Sequence, residues 1–300
     1  MATLREIRQR ITGIRNTQKI TKAMKMVAAA RLRRSQEAMY AARPYARKLS
    51  ELLRHLVTRV DPSINRLLVP REVNRVALVV VTADRGLCGA FNSNITRTAV
   101  QTMRGEYADL LRENRLKLVT VGKKGFDFFS KRNYEIYSRH VGLFNALEFR
   151  IAREIMSTLV ERYLSGEFDK VVVISNEFKS VIQQKIVVEQ FLPIPPEETA
   201  PPEPHDLKAL AQVEYIYEPS VEEIVNALVP QHLNFQMWKV LLESNAAEQG
   251  ARMAAMDNAT ENARELIRDL TLSFNNARQA AITKELLEIV SGAEALRRAG

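Results

Sequence analysis

Cysteine is nearly absent. Cys88 is the single one in 300 residues, which excludes an intrachain disulfide framework and fits a reducing compartment. No apolar run reaches the roughly 18 residues that a membrane-spanning helix needs. The start, MATLREIRQR, has no apolar signal-peptide core, so the expectation is a cytoplasmic chain. Aromatic residues make up 7% of the sequence, and none precedes Tyr40. Nucleic-acid readers usually add stacking aromatics or a recognition motif to their cations, so that class is weakened. Between Thr3 and Arg59 there is a single glycine, Gly13, and a single proline, Pro44.

Acid is the most telling absence. Residues 1–34 hold Glu6 alone against ten cations: Arg5, Arg8, Arg10, Arg15, Lys19, Lys22, Lys25, Arg31, Arg33 and Arg34. The rest of the chain balances 34 cations with 34 acids, so the whole net charge of +9 belongs to this one segment. Such an element faces nucleic acid, an anionic surface or an acidic protein. A basic coiled-coil protein that binds nucleic acid or serves as a scaffold is the alternative reading.

What is present divides into two patterns. Leu4, Ile7, Ile11 and Ile14 step by three and four. The seam continues through Gln18, Thr21 and Met24, becoming smaller and more polar. A helix from Thr3 to about Arg59 would be about 80 Å long. Near the other end, Met253, Met256, Thr260, Ala263, Ile267, Leu270, Phe274, Ala277 and Ala281 repeat the spacing. Two such seams predict an antiparallel coiled coil between the terminal segments 1–60 and 220–300. Ser220 is the expected N-cap of the second helix, and Pro230 is expected to kink or break it.

Between them lies a different pattern. VALVVVTADRG (76–86), LKLVTVGKKG (116–125), KVVVISNEF (170–178) and KIVVEQF (185–191) are short β-branched runs. Helical stretches near 92–114 and 145–164 alternate with the first three, which is the α/β signature. The fold class expected is therefore α/β, a long coiled coil with a Rossmann-like domain inserted at 74–218. VEYIYEP (213–219) is a last strand candidate. The stretch 193–206, with six prolines, reads as a stiff exposed loop.

Chemistry finds little footing. TADRGLCGAFN (82–92) follows a strand where doubly wound folds often bind phosphate, but it lacks the G-x-G-x-x-G order and reads as a tight packed turn. Cys88 within it reads as a small packed residue. GKKG (122–125) lacks the Walker length and ending. His55, His140, His205 and His232 are scattered without metal-ligand spacing. No catalytic residue, cofactor or metal is expected.

Four stretches carry a resemblance: IRQRITGIRNTQKITKAMKMVAAARLRRSQ (7–36), DRGLCGAFN (84–92), ESNAAEQGARMAAMDNAT (243–260) and NNARQAAITKELLEIVSGAEAL (275–296). In order and separation they resemble the gamma-subunit family of F-type ATP synthases over nearly the whole chain. The resemblance implies a non-catalytic rotor shaft, one copy per complex. It would turn inside a hexamer of alpha and beta subunits, with the epsilon subunit and the c-subunit ring below. It implies a peripheral position on the cytoplasmic face of a bacterial inner membrane. It also implies that Met24 and Lys25 face an acidic lever of beta, with Arg252 meeting beta nearby. Arg278 and Gln279 would engage a beta catch loop, supported by Thr283 and Glu285. Leu286, Leu287, Ile289 and Val290 would turn in a hydrophobic bearing. Plant chloroplast members carry an inserted cysteine pair, so a chain with Cys88 alone has no thiol switch of that kind.

Overall fold

The computed structural model describes residues 3–57, 61–180, 183–195 and 217–299. Helix α1 spans Leu4–Val57. It opens on a capping box, in which the Thr3 hydroxyl accepts the Glu6 amide at 3.3 Å and the Glu6 carboxylate accepts the Thr3 amide at 2.9 Å. Strand β1 (Val76–Val81), helices α2 (Phe91–Arg104) and α3 (Ala108–Arg112), and strand β2 (Leu116–Val121) follow. Next come α4 (Lys123–Ser130), β3 (Ile136–His140), α5 (Phe149–Leu164), β4 (Lys170–Phe178) and β5 (Gln184–Leu192). The last helix, α6, spans Val221–Ala299, and the Ser220 hydroxyl caps it by accepting the Glu223 amide at 3.2 Å.

The sheet order is β3-β2-β1-β4-β5. The first four strands are parallel, and β5 returns antiparallel to β4. Strand order reverses between β1 and β4, so the turn after β1 sits at the switch point of a doubly wound sheet. Alternation along the strands divides two faces. Ala77, Val79, Val81, Val119, Val121, Val171 and Val173 share one core with Leu53 and Leu56 of α1, Ile155 and Leu159 of α5, and Val225 to Leu241 of α6. The opposite face is covered by α2, which buries Phe91, Ile95, Ala99 and Met103, and by α4 with Phe129.

Two expectations change. The five-residue β3, IYSRH, is only half-buried and mixes polar with apolar side chains, so it lacks the continuous apolar run that marks its neighbours. Helix α6 is not broken at Pro230. The missing hydrogen bond and ring clash cost about 3 kcal/mol, but Val229 and Leu233 on either side are fully buried. Each contributes about 1.5–3 kcal/mol by burial. The strand expected at 213–219 and the loop at 193–206 lie largely outside the described residues.

The chain divides into two compact units, residues 1–27 with 253–300, and residues 28–252. In the first unit α1 and α6 run antiparallel, as the pairs Arg8–Phe274, Thr21–Thr260 and Lys25–Asp257 show. The expected seam is the one that packs. Leu4, Ile7, Ile11, Ile14, Gln18 and Met24 are half-buried and Thr21 is buried, while Arg5, Arg15, Lys19 and Lys22 stay exposed. Met256 and Ala263 are buried on α6. Small side chains here let the two backbones approach closely, and the two threonine hydroxyls lie 2.7 Å apart.

Candidate functional site

The turn after β1 is closed by its own side chains. Asp84 Oδ1 accepts the amides of Lys123 at 3.0 Å and Gly142 at 2.8 Å, and Oδ2 lies 3.4 Å from the Phe144 amide. Thr82 Oγ1 accepts the Gly125 amide at 2.8 Å, and the Ala83 carbonyl accepts the Lys124 amide at 3.0 Å. The first three N–H groups of α4 are therefore all engaged. At a helix start these are the donors that hold a phosphate; here a carboxylate, a carbonyl and a hydroxyl of the same chain take one each.

Glycine is required beneath it. Gly122 has φ +89, and a Cβ there would lie 2.0 Å from the Thr82 carbonyl oxygen. GKKG is thus a close approach between two turns. Cys88 is 1% exposed and receives an N–H from Asn92 at 3.2 Å. Burial raises its thiol above the ordinary value, with the Glu248 carboxylate acting in the same direction and Arg252 opposing. A packed, inert thiol is the result.

Arg252, the last residue of the second unit, lies in contact with this turn. Its Nη1 donates to the Gly86 carbonyl at 2.6 Å, and its Nε donates to Glu248 at 3.0 Å, with Nη2 on the same carboxylate. The side chains of Arg252 and Glu248 are 12% and 7% exposed. Gln249 donates to the other Glu248 oxygen at 2.7 Å. No sequence motif announces this clamp, although the i, i+4 spacing of Glu248 and Arg252 on a helix is its one legible trace.

The remaining candidates lie in the first unit. Met24 is half-buried on the seam. Lys25 pairs with Asp257 at 2.6 Å, the two side chains being 40% and 57% exposed, a surface pair worth about 0.2–1 kcal/mol. Arg278, Gln279, Thr283 and Glu285 are all exposed on α6. Leu286, Leu287, Ile289 and Val290 are 57–67% exposed, and Ile282 is 50% exposed. The structure thus brings Lys25 to Asp257 and Arg252 to the 82–92 turn. The tail residues share one helix and touch no common centre. Among the described residues no group of histidine, cysteine or acidic side chains has the arrangement of a metal site.

A family model described as ATP synthase matches residues 3–296. Among curated relatives, the ATP synthase gamma chain of Chloroherpeton thalassium is 55% identical over 302 residues, covering 99% of each chain. That of Chlorobium phaeobacteroides is 55% identical over 298 residues, covering 99% of this chain and 100% of its own. Among solved structures, a chain of the Tetrahymena thermophila mitochondrial ATP synthase central stalk and c-ring superposes with a TM-score of 0.57 at 27% identity, covering 80% of this chain and 99% of that one. A chain of the Euglena gracilis mitochondrial ATP synthase reaches 0.67 at 19% identity, covering 98% and 94%, a likeness of fold.

Proposed function

The chain belongs to the ATP synthase gamma chain family, and from that premise we propose that it is the central rotor shaft of an F-type, proton-transporting ATP synthase. In this reading segments 1–60 and 220–300 form the shaft, and 74–218 is the inserted domain that meets the epsilon subunit and the c-subunit ring. One copy turns inside the hexamer of alpha and beta subunits, and each beta site meets a different face of the shaft in turn. ATP is made or hydrolysed in beta, so this chain transmits torque and performs no chemistry. Among the described residues no helix is long and apolar enough to cross a membrane. Attachment to the cytoplasmic face of a bacterial inner membrane therefore runs through the complex.

One observation carries the reading: a cation-rich, small-residue helix pair whose α6 end leaves Ile282, Leu286, Leu287, Ile289 and Val290 at least half exposed. Side chains of that size lose about 1.5–3 kcal/mol each by staying out of an apolar environment, so a socket on a partner accounts for them. The cations of α1, Lys25 among them with Met24 alongside, suit an acidic partner surface that changes as the shaft turns. A broad Leu-rich face would bind one neighbour permanently. Arg278 and Gln279, with Thr283 and Glu285, form the polar contact to beta just before the apolar run. Arg252 belongs to the beta-facing region of this reading, with its guanidinium committed to its own chain.

Co-purification with alpha and beta subunits, followed by ATP-driven proton pumping in inverted vesicles, tests the proposal. Arg278→Ala and Gln279→Ala should each lower coupled ATP synthesis while the chain still folds and assembles. Unchanged synthesis in both variants would remove the assigned contact. A purified chain that ignores alpha and beta but binds nucleic acid with a steep salt dependence would replace the rotor by the alternative.

A further inference from the structure

Resting on the rotor reading, we propose that Arg252 is a positioning residue that acts inside its own chain: with Glu248 it locks α6 to the 82–92 turn, so that twist in α6 is delivered to the α/β sheet at this point. Three of the five N–H groups of the guanidinium are engaged within its own chain, and the side chain is 12% exposed. Nε and Nη2 hold Glu248, Nη1 holds the Gly86 carbonyl at 2.6 Å, and the second Glu248 oxygen is held by Gln249. Buried pairs of this kind resist loss of either member, because an uncompensated charge remains.

The hold falls where the turn has most need of it. Leu87, directly after the clamped carbonyl, has φ 63 and is 65% exposed, and Gly89 has φ 57. A left-handed leucine is disfavoured and persists only where its surroundings over-determine it. From Gly86 the connection continues along the same turn. Asp84 pins it to Lys123 and Gly142, beyond β2 and β3, and the Asn92 side chain accepts the Ala83 amide at 2.9 Å. Hydrogen bonds at Gly86 and Asp84, joined by the backbone of residues 84–86, therefore connect α6 to three strand ends.

The test uses the assembled complex with Arg252→Met, Glu248→Gln and the double variant, and with Arg252→Lys. Lysine keeps the charge but cannot hold both Glu248 and the Gly86 carbonyl. Hydrogen exchange of the 84–92 amides is expected to rise about tenfold in each single variant. Protons pumped per ATP hydrolysed should fall together with it, and the double variant should be no worse than the worse single. Arg252→Lys should resemble Arg252→Met. Additive effects, full rescue by lysine, or unchanged exchange in the turn would each overturn the clamp and favour a charge contact with a partner. Absence of ATP-driven pumping in the complex with the unaltered chain would instead sink the rotor reading, while the exchange measurement would still decide the clamp.

Discussion

Asp84 supports a quantitative prediction. Its carboxylate accepts two short N–H bonds, from Lys123 at 3.0 Å and Gly142 at 2.8 Å, and a third contact to Phe144 is long at 3.4 Å. Hydrogen bonds to a charged group contribute about 1.5–3 kcal/mol each, and the long one is discounted on geometry. The side chain is half-exposed, so water recovers part of the loss when it is removed. Asp84→Ala should therefore destabilise the second unit by about 2–3 kcal/mol. Asp84→Asn keeps an acceptor oxygen toward Lys123 and Gly142 but gives up the charge and turns its NH2 toward the Phe144 amide, a contact already long, so about 1 kcal/mol is expected. The lone tryptophan, Trp238, packs against the core of this unit and edge-on to Phe149 at 6.1 Å, so its fluorescence follows urea unfolding directly. Exchange at the Lys123 and Gly142 amides should accelerate in parallel. An asparagine variant as damaged as the alanine one, or an alanine variant within about 0.5 kcal/mol of the parent, would refute the picture of a carboxylate bracing three strand ends.

Other outcomes follow from the same geometry. Gly122→Ala, at φ +89 with its new Cβ 2.0 Å from a carbonyl oxygen, should cost about 3 kcal/mol or more; a melting temperature within about 2 °C of the parent would contradict this. Thr21→Val should weaken the seam by only about 1 kcal/mol, because Thr260 still donates to the Met256 carbonyl at 2.7 Å. Replacing both threonines by valine should be near neutral, and exchange rates across residues 15–27 of the complex would show whether the double variant instead sums two losses. Burial raises the Glu243 carboxyl above its ordinary 4.5, with Glu177 and Glu189 adding to the rise and Lys239 and Arg43 opposing it. The folded chain thus holds this proton more tightly than the unfolded one. Its contribution is complete below about pH 4.5 and is lost as pH rises through the raised value. In Glu243→Gln, urea midpoints measured across that range should lose this downward slope, and an unaltered slope would be the disproof.

The helices illustrate what one-dimensional pattern carries. A seam at three-and-four spacing is a property of the chain alone, so Leu4 to Met24 and Met253 to Ala281 announce which side packs before any partner is known. Thr3 with Glu6, and Ser220, likewise mark helix starts through contacts three residues away. Three of the four β-branched runs announce strands because parallel sheets bury both faces, while KIVVEQF forms the antiparallel edge strand β5. Strand β3 escapes, since an edge strand of five half-buried residues needs no such composition. Pro230 lies within a continuous α6 for a related reason: propensity is a local term of about 3 kcal/mol, and the burial that outweighs it comes from residues far away in sequence.

The site divides along the same line. The cation cluster of residues 1–34, the apolar run at 286–290 and the family motifs are read from order and composition, because charge and exposed apolar surface need no folding to be counted. The use of the 82–92 turn is decided only in three dimensions. Asp84 meets Gly142 across 58 residues, and Arg252 meets Gly86 across 166. Sequence by itself determined the helices, the strands that bury both faces and the sign of the charge. Tertiary structure alone decided that the first N–H groups of α4 are taken by Asp84, Ala83 and Thr82 of the same chain and that Arg252 faces inward. The reason is physical: periodicity records which side of an element is buried, whereas a hydrogen bond between distant loops depends on distances that exist only once the sheet has brought them together.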